Sequence, residues 1–161
     1  MSIRSAGLIR PLVLFTAVLL AAPVQANEDL DGFHFGGGVS SNSVSGSRNA
    51  IGAQFFGGYD FGPILGDANL LAEVGYMDSD FISDGRRRPS AQGLWATAVA
   101  QLPLTGYWSL LGRAGLDFGD DDGLMVGVGG AWQANQQLQL RGEIIARDNI
   151  DSFQFNVVYG F

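Results

Sequence analysis

From residue 32 onward the chain alternates apolar and polar side chains with a period of two, broken at intervals by clusters of Gly, Asn, Asp, Pro and Ser. In the closing stretch "DSFQFNVVYGF", Phe153, Phe155, Val157, Tyr159 and Phe161 fall on one face, and Gln154, Asn156 and Gly160 on the other. A helix repeats every 3.6 residues, so a strict period of two marks strands. Eight such segments follow one another: Gly32 to Ser40, Ile51 to Phe61, Asn69 to Met77, Gly93 to Leu102, Tyr107 to Phe118, Gly123 to Gln133, Gln137 to Arg147, and Asp151 to Phe161. Each is near the roughly 9 to 11 residues that a tilted strand needs to cross a bilayer. The pattern predicts an all-β fold, an eight-stranded antiparallel up-and-down transmembrane β-barrel.

Which face points outward is decided by the aromatic residues. In the seventh segment Leu138, Leu140, Ile144 and Ala146 oppose Gln139, Arg141, Glu143 and Arg147; in the fifth, Trp108, Leu110, Ala114, Leu116 and Phe118 oppose Ser109, Arg113 and Asp117. A water-soluble barrel would bury the apolar face. If odd strands start at the periplasm and even strands end there, however, the apolar face puts Phe33, Phe35, Tyr59, Phe61, Trp108, Trp132, Tyr159 and Phe161 at one height. Aromatic rings gather this way at a membrane interface, where the ring meets acyl chains and its polar tip meets the headgroups. Nothing in a soluble core requires it. Tyr76, Phe118, Phe153 and Ile51 mark a thinner opposite rim.

The connections are asymmetric. Those after the second, fourth and sixth segments ("GPILGDA", "PLTG", "ANQ") are short or nearly uncharged. The first and third are followed by the long polar "SNSVSGSRNA" and "DSDFISDGRRRPSAQ", and the fifth and seventh by the charged "GDDD" and "DNI". Short turns on one side and charged loops on the other fit an outer-membrane barrel with both termini in the periplasm.

Residues 1–26 read as a cleaved secretory signal peptide: Arg4 and Arg10 in a positive head, the apolar run "PLVLFTAVLLAA", then "VQA". That run is shorter than the about 20 residues of a transmembrane helix. Residues 27–161 are then a single barrel domain. Without Arg4 and Arg10 the mature chain carries seven arginines, no lysine and all sixteen acids, a net charge of −9, which argues against nucleic acid as a partner. No cysteine is present, so neither disulfides nor thiolate metal sites contribute. The 24 glycines follow no three-residue period; scattered through alternating segments they suit tightly curved sheet.

The polar face collects Gln54, Glu73, Gln101, Arg113, Asp117, Gln139, Arg141, Glu143, Arg147, Gln154 and Asn156, with Gly127, Gly129 and Ala131 leaving room for long arginines. An eight-stranded barrel is just wide enough for its own side chains, so Glu73, Arg113, Asp117, Arg141, Glu143 and Arg147 are expected to pair as a polar plug rather than to line a diffusive pore; a gated proton or ion path is the competing reading. His34 is the only histidine, and no serine or cysteine is spaced to form a nucleophile pair with it, so it reads as an ordinary interior or rim residue without groups to complete a site. Arg86, Arg87 and Arg88 in "GRRRPS" form the one basic run; their forked donors suit lipopolysaccharide phosphates or another polyanion, against the plainer reading of a solvated loop. "GDDDG" lacks the ligand spacing of a calcium loop. The "GGG" at Gly36 to Gly38 is followed by neither a helix nor a lysine, so it is no phosphate loop. No cofactor is expected.

The leader, the eight segments, "VGVGGAWQANQQLQLRGEI" and the terminal "FQFNVVYGF" resemble the small OmpA/OmpX-type outer-membrane β-barrel family. The resemblance implies a bacterial outer-membrane location, contact with outer-membrane lipid and lipopolysaccharide, a monomer, and a C-terminal strand ending in Phe161 that the barrel-insertion machinery reads. It also implies a structural or surface-interaction role and no enzymatic activity; unlike full-length OmpA, the chain is expected to carry no peptidoglycan-binding domain after the eighth strand. A lipid A-modifying barrel enzyme is the first alternative; such enzymes as a family carry a Ser two residues from a His, and position 36 here is Gly. A soluble periplasmic barrel of lipocalin type is the second.

Overall fold

The computed structural model describes residues 30–44, 50–82, 92–119, 122–148 and 150–161. Eight strands follow one another: β1 (Phe33–Val44), β2 (Ala50–Leu65), β3 (Ala68–Ile82), β4 (Gln92–Pro103), β5 (Trp108–Gly119), β6 (Gly123–Gln133), β7 (Leu138–Ala146) and β8 (Ile150–Gly160). Each pairs antiparallel with its sequence neighbour, and β1 also pairs with β8, which closes the sheet into a barrel. The architecture is the one that the alternation predicts.

Three strands run further than their apolar alternation does. β1 and β3 extend into stretches that the sequence reads as loop, because hairpin pairing persists there: Asn42 faces Ala50, and Ala53 faces Asp78. β2 absorbs Gly62 to Leu65, leaving only Gly66 and Asp67 as the turn. Gly66 has φ 60°, in keeping with the glycine that a two-residue hairpin favours at its first central position. Pro63 is tolerated inside β2 because the register slips on both sides of it, so its missing N–H interrupts no regular ladder.

The register sets the size of the cylinder. Aligned pairs followed once around from Phe33, through Tyr59, Ala72, Ala98, Ala114, Val126, Ala146 and Asp151, return to β1 at Ser43, ten residues further on. At about 3.3 Å per residue and about 4.8 Å between strands, that offset tilts the strands by about 40° and gives a backbone radius of about 8 Å. Side chains alone can fill such an interior.

The two faces differ as the alternation requires. Phe55, Val74, Leu94, Leu116, Val128, Ile144 and Phe155 are among many large apolar side chains exposed on the outer wall. Glu73, Arg113, Asp117, Arg141, Glu143 and Arg147 are buried inside. The interior is not wholly polar, however. Phe56, Met77, Trp95, Met125, Ile145 and Val158 form one buried apolar cluster, and Leu71, Val99, Leu111 and Ala131 form another. Both clusters point inward alongside the charges.

Candidate functional site

The interior charges converge because the strands carrying them meet in register. Glu73 on β3 receives Nη1 of Arg141 from β7, and its other oxygen lies 3.3 Å from Arg113 Nη2 on β5. Arg113 also clasps Glu143, Nε to Oε2 at 2.6 Å and Nη2 to Oε1 at 2.9 Å. Its guanidinium sits 5.7 Å from the centre of the Trp95 ring. Forked contacts of this kind fix geometry as well as charge. Nearer the loop end, Arg147 donates through Nε to Asp117 at 2.7 Å and through Nη1 to Ser152 Oγ at 3.0 Å, and Ser152 in turn donates to Asn42. Gln54 spans to Gln154 and Asn156, both at 2.7 Å. The three arginines Arg113, Arg141 and Arg147 thus face the three carboxylates Glu73, Asp117 and Glu143, and these six charges cancel.

Small residues on β6 make the reach possible. A Cβ at Gly127 would press on the Arg113 stem, and one at Gly129 would strike the Glu143 side chain. The spacing "GVGGA" puts bare backbone where the two neighbouring strands need room.

His34 has a partner that the sequence reading did not find. Its Nε2 lies 3.1 Å from Glu73 Oε1, and the ring is buried at the turn end of the barrel. The partners are 39 positions apart on strands separated by β2, so only the register brings them together. No local motif could have signalled the pair. Gly58 opposes His34 in the β1–β2 register, and a Cβ there would strike the imidazole. Among the described residues no group of three His, Cys, Asp or Glu side chains could hold a metal ion.

On the outer wall at the turn end, Phe33 packs edge-on against Tyr59 (4.9 Å between ring centres), which does the same with Phe61 (5.1 Å). Phe35 lies 5.5 Å from Tyr159 and 5.7 Å from Phe161. Trp108 and Trp132 face each other across the β5–β6 pair. Near the opposite end Tyr76 stacks obliquely on Phe55 at 5.7 Å, and Ile51, Phe118 and Phe153 are exposed on the same wall. Phe55 belongs to this rim, although the sequence reading did not single it out.

The turns at the first of these ends are tied by side chains. Thr105 Oγ1 accepts from the backbone N–H groups of Tyr107 and Trp108, and Asn135 Oδ1 accepts from those of Gln137 and Leu138. These are local turns that Thr and Asn supply through their own acceptors. A cavity of about 250 Å³ opens at the mouth of the barrel at this end, lined by His34, Gln101, Gln133, Gln139, Arg141 and Val158 among others. The basic run Arg86 to Arg88 and the leader at residues 1–26 lie outside the described residues.

The family model described as "Outer membrane protein beta-barrel domain" matches residues 12–161. No curated protein sequence matches. Among solved structures, a computationally designed transmembrane β-barrel is similar over 81% of this chain and 97% of its own, at 15% identity and a TM-score of 0.57. The attachment invasion locus protein Ail of Yersinia pestis matches over 81% and 97%, at 14% identity and a TM-score of 0.54. Ail in complex with the heparin analogue sucrose octasulfate matches over 80% and 94%, at 14% identity and 0.51. Neisserial surface protein A matches over 81% and 98%, at 13% identity and 0.53.

Proposed function

Since this chain belongs to the outer membrane protein β-barrel domain family, we propose that it is a small integral protein of the bacterial outer membrane with a structural or surface-interaction role and no enzymatic activity. In this reading the apolar wall faces lipid and lipopolysaccharide. The aromatic rings from Phe33 to Phe161 sit at the periplasmic interface, together with both termini. The barrel acts as a monomer, and the insertion machinery reads the strand ending in Phe161.

The observation that carries the reading is the inversion of the two faces. Arg113, Arg141 and Glu143 are buried inside, whereas Phe55 is 65% exposed and Val128 63% exposed on the wall. In water that wall would cost on the order of 25 cal/mol for every Å² of apolar surface left uncovered; in hydrocarbon it costs nothing. The inward charges are paired, and the inward apolar clusters fill the remaining width, so the interior is a plug rather than a diffusive pore.

The surface-interaction arm rests on Arg86, Arg87 and Arg88. Ail has been solved with a heparin analogue, a sulfated sugar. Three adjacent guanidinium groups in the sequence between β3 and β4 suit sulfate or phosphate through their forked donors.

The test is fractionation combined with topology mapping. The protein is expected to stay with membranes after osmotic shock and to need detergent for release. In intact cells an epitope inserted at Ser90 should be accessible to antibody, and one placed before Leu30 should not. Release by osmotic shock would return the soluble lipocalin-type reading, and a changed acyl pattern of lipid A on expression would return the enzyme.

A further inference from the structure

The cavity at the turn-end mouth has no part in the role proposed above, and its lining is unlike the rest of the interior. Deeper in the barrel each charge meets an opposite charge. At the mouth the walls are carboxamides: Gln101, Gln133, Gln137 and Gln139 converge there around His34 and Arg141. Carboxamides carry donors and acceptors on one planar group and no net charge. Some of their valences are used. Gln139 accepts from Arg141 Nε at 2.6 Å and donates to Gln133 at 3.0 Å, and Gln101 Nε2 reaches Ser109 Oγ only at 3.5 Å. The Oε1 atom of Gln101 and the second amide hydrogen of Gln139 are left over.

His34 adds a second polar group. Glu73 accepts a hydrogen bond from Nε2, which leaves Nδ1 as the ring nitrogen for a ligand. The ring is buried and lines the cavity. The imidazole is thus oriented by an ion-paired carboxylate beneath it, with Nδ1 free of any protein partner among the described residues.

We propose that this mouth is a binding site for one neutral sugar ring. Neighbouring hydroxyls on a pyranose donate and accept side by side, as do the groups that line the cavity. An anionic ligand would meet Asp31 and Asp60 at the entrance, and Arg141 is already ion-paired with Glu73, so charge selects against anions. The volume of about 250 Å³ lies just below the roughly 300 to 1,000 Å³ of sites for drug-sized ligands and suits a single ring. A ligand of that size is expected to bind at about 1 mM. The site opens at the turn end, opposite the end where β3 finishes and β4 begins.

The test uses the full mature chain refolded in detergent, titrated with N-acetylglucosamine and with glucose, and followed by the side-chain amide and imidazole nitrogen resonances. Binding is expected to move the Gln101, Gln139 and His34 signals together along one saturable curve. Gln101→Leu and His34→Phe should each weaken it at least fivefold, while heat-dependent gel mobility shows that both variants still fold. Gln92→Leu, on the outside near the far end, should leave the affinity unchanged. No saturable shift up to 50-fold above the expected constant, equal shifts with glycerol, or affinity untouched by both mouth variants would each overturn the proposal.

Discussion

Arg113 on β5 and Glu143 on β7 lie side by side in a two-pronged contact, 2.6 Å and 2.9 Å, although a whole strand separates them. The strand between, β6, offers Gly127 and Gly129 at that level, so the two side chains meet over bare backbone. Both residues are nearly wholly buried, which makes the pair strongly dependent on each partner.

Removing one partner leaves the other charged and dry. Glu143→Ala is expected to destabilise the barrel by about 3 to 5 kcal/mol. The double variant Arg113→Met with Glu143→Leu should cost less than the worse single change, because no lone charge remains. Urea unfolding in detergent micelles, run as a double-mutant cycle, measures the coupling. Strict additivity would mean that the contact does not hold in solution.

The glycines divide into two kinds. At Gly38 an added Cβ would press on the Phe155 carbonyl and Asn156, whereas at Gly142 it would meet nothing within 4 Å. Gly38→Ala should therefore cost about 1 to 3 kcal/mol through overpacking. Gly142→Ala should be neutral or stabilise by up to about 1 kcal/mol through reduced freedom of the unfolded chain. The shift in unfolding midpoint of each, measured side by side, checks the contrast.

Val157 stands on the outer wall between Gly37 of β1 and Leu140 of β7. In a bilayer, Val157→Arg is expected to lower stability by about 2 to 4 kcal/mol, and Val157→Leu to change it little. Folding into lipid vesicles, compared with folding into short-chain micelles, reads the difference. An arginine at this position that costs nothing in vesicles would be incompatible with a lipid-facing wall.

For the basic run, replacing Arg86, Arg87 and Arg88 together by serine should abolish retention on immobilised heparin at low salt while leaving heat-dependent gel mobility unchanged. The parent protein should elute progressively earlier as ionic strength rises, as expected of exposed charges. Unaltered retention of the triple variant would assign the run to solvent.

Much of this architecture is legible in the sequence where the two faces of a strand differ sharply. β7 and β8 alternate so cleanly that Arg141, Glu143 and Asn156 could be turned inward from spacing alone. β4 is another matter. In "GLWATAVAQL" only Thr97 and Gln101 mark the inward face, and the Trp95 and Val99 that share it with them are apolar, as is Leu94 on the outer wall, so the two faces barely differ. For the same reason the inward Phe56, Met77 and Leu111 escaped notice: an interior expected to be polar hides its apolar half. The His34–Glu73 contact was out of reach for a different reason. It depends on the stagger between three strands, and stagger is fixed by turn geometry such as the register slip around Pro63, which a periodicity of two does not encode.

The seam joins the two ends of the strand order. β1 finds its second partner only in β8, the strand most remote from it along the chain, and the N–H of Phe161 reaches the Phe33 carbonyl at 3.0 Å to finish the join. Hairpins can zip up locally, but until the eighth strand arrives the first keeps one row of amides without a mate. Any copy in which the eighth strand has not yet docked is therefore an open ribbon, sticky at both margins, and the last join is also the one of greatest sequence separation.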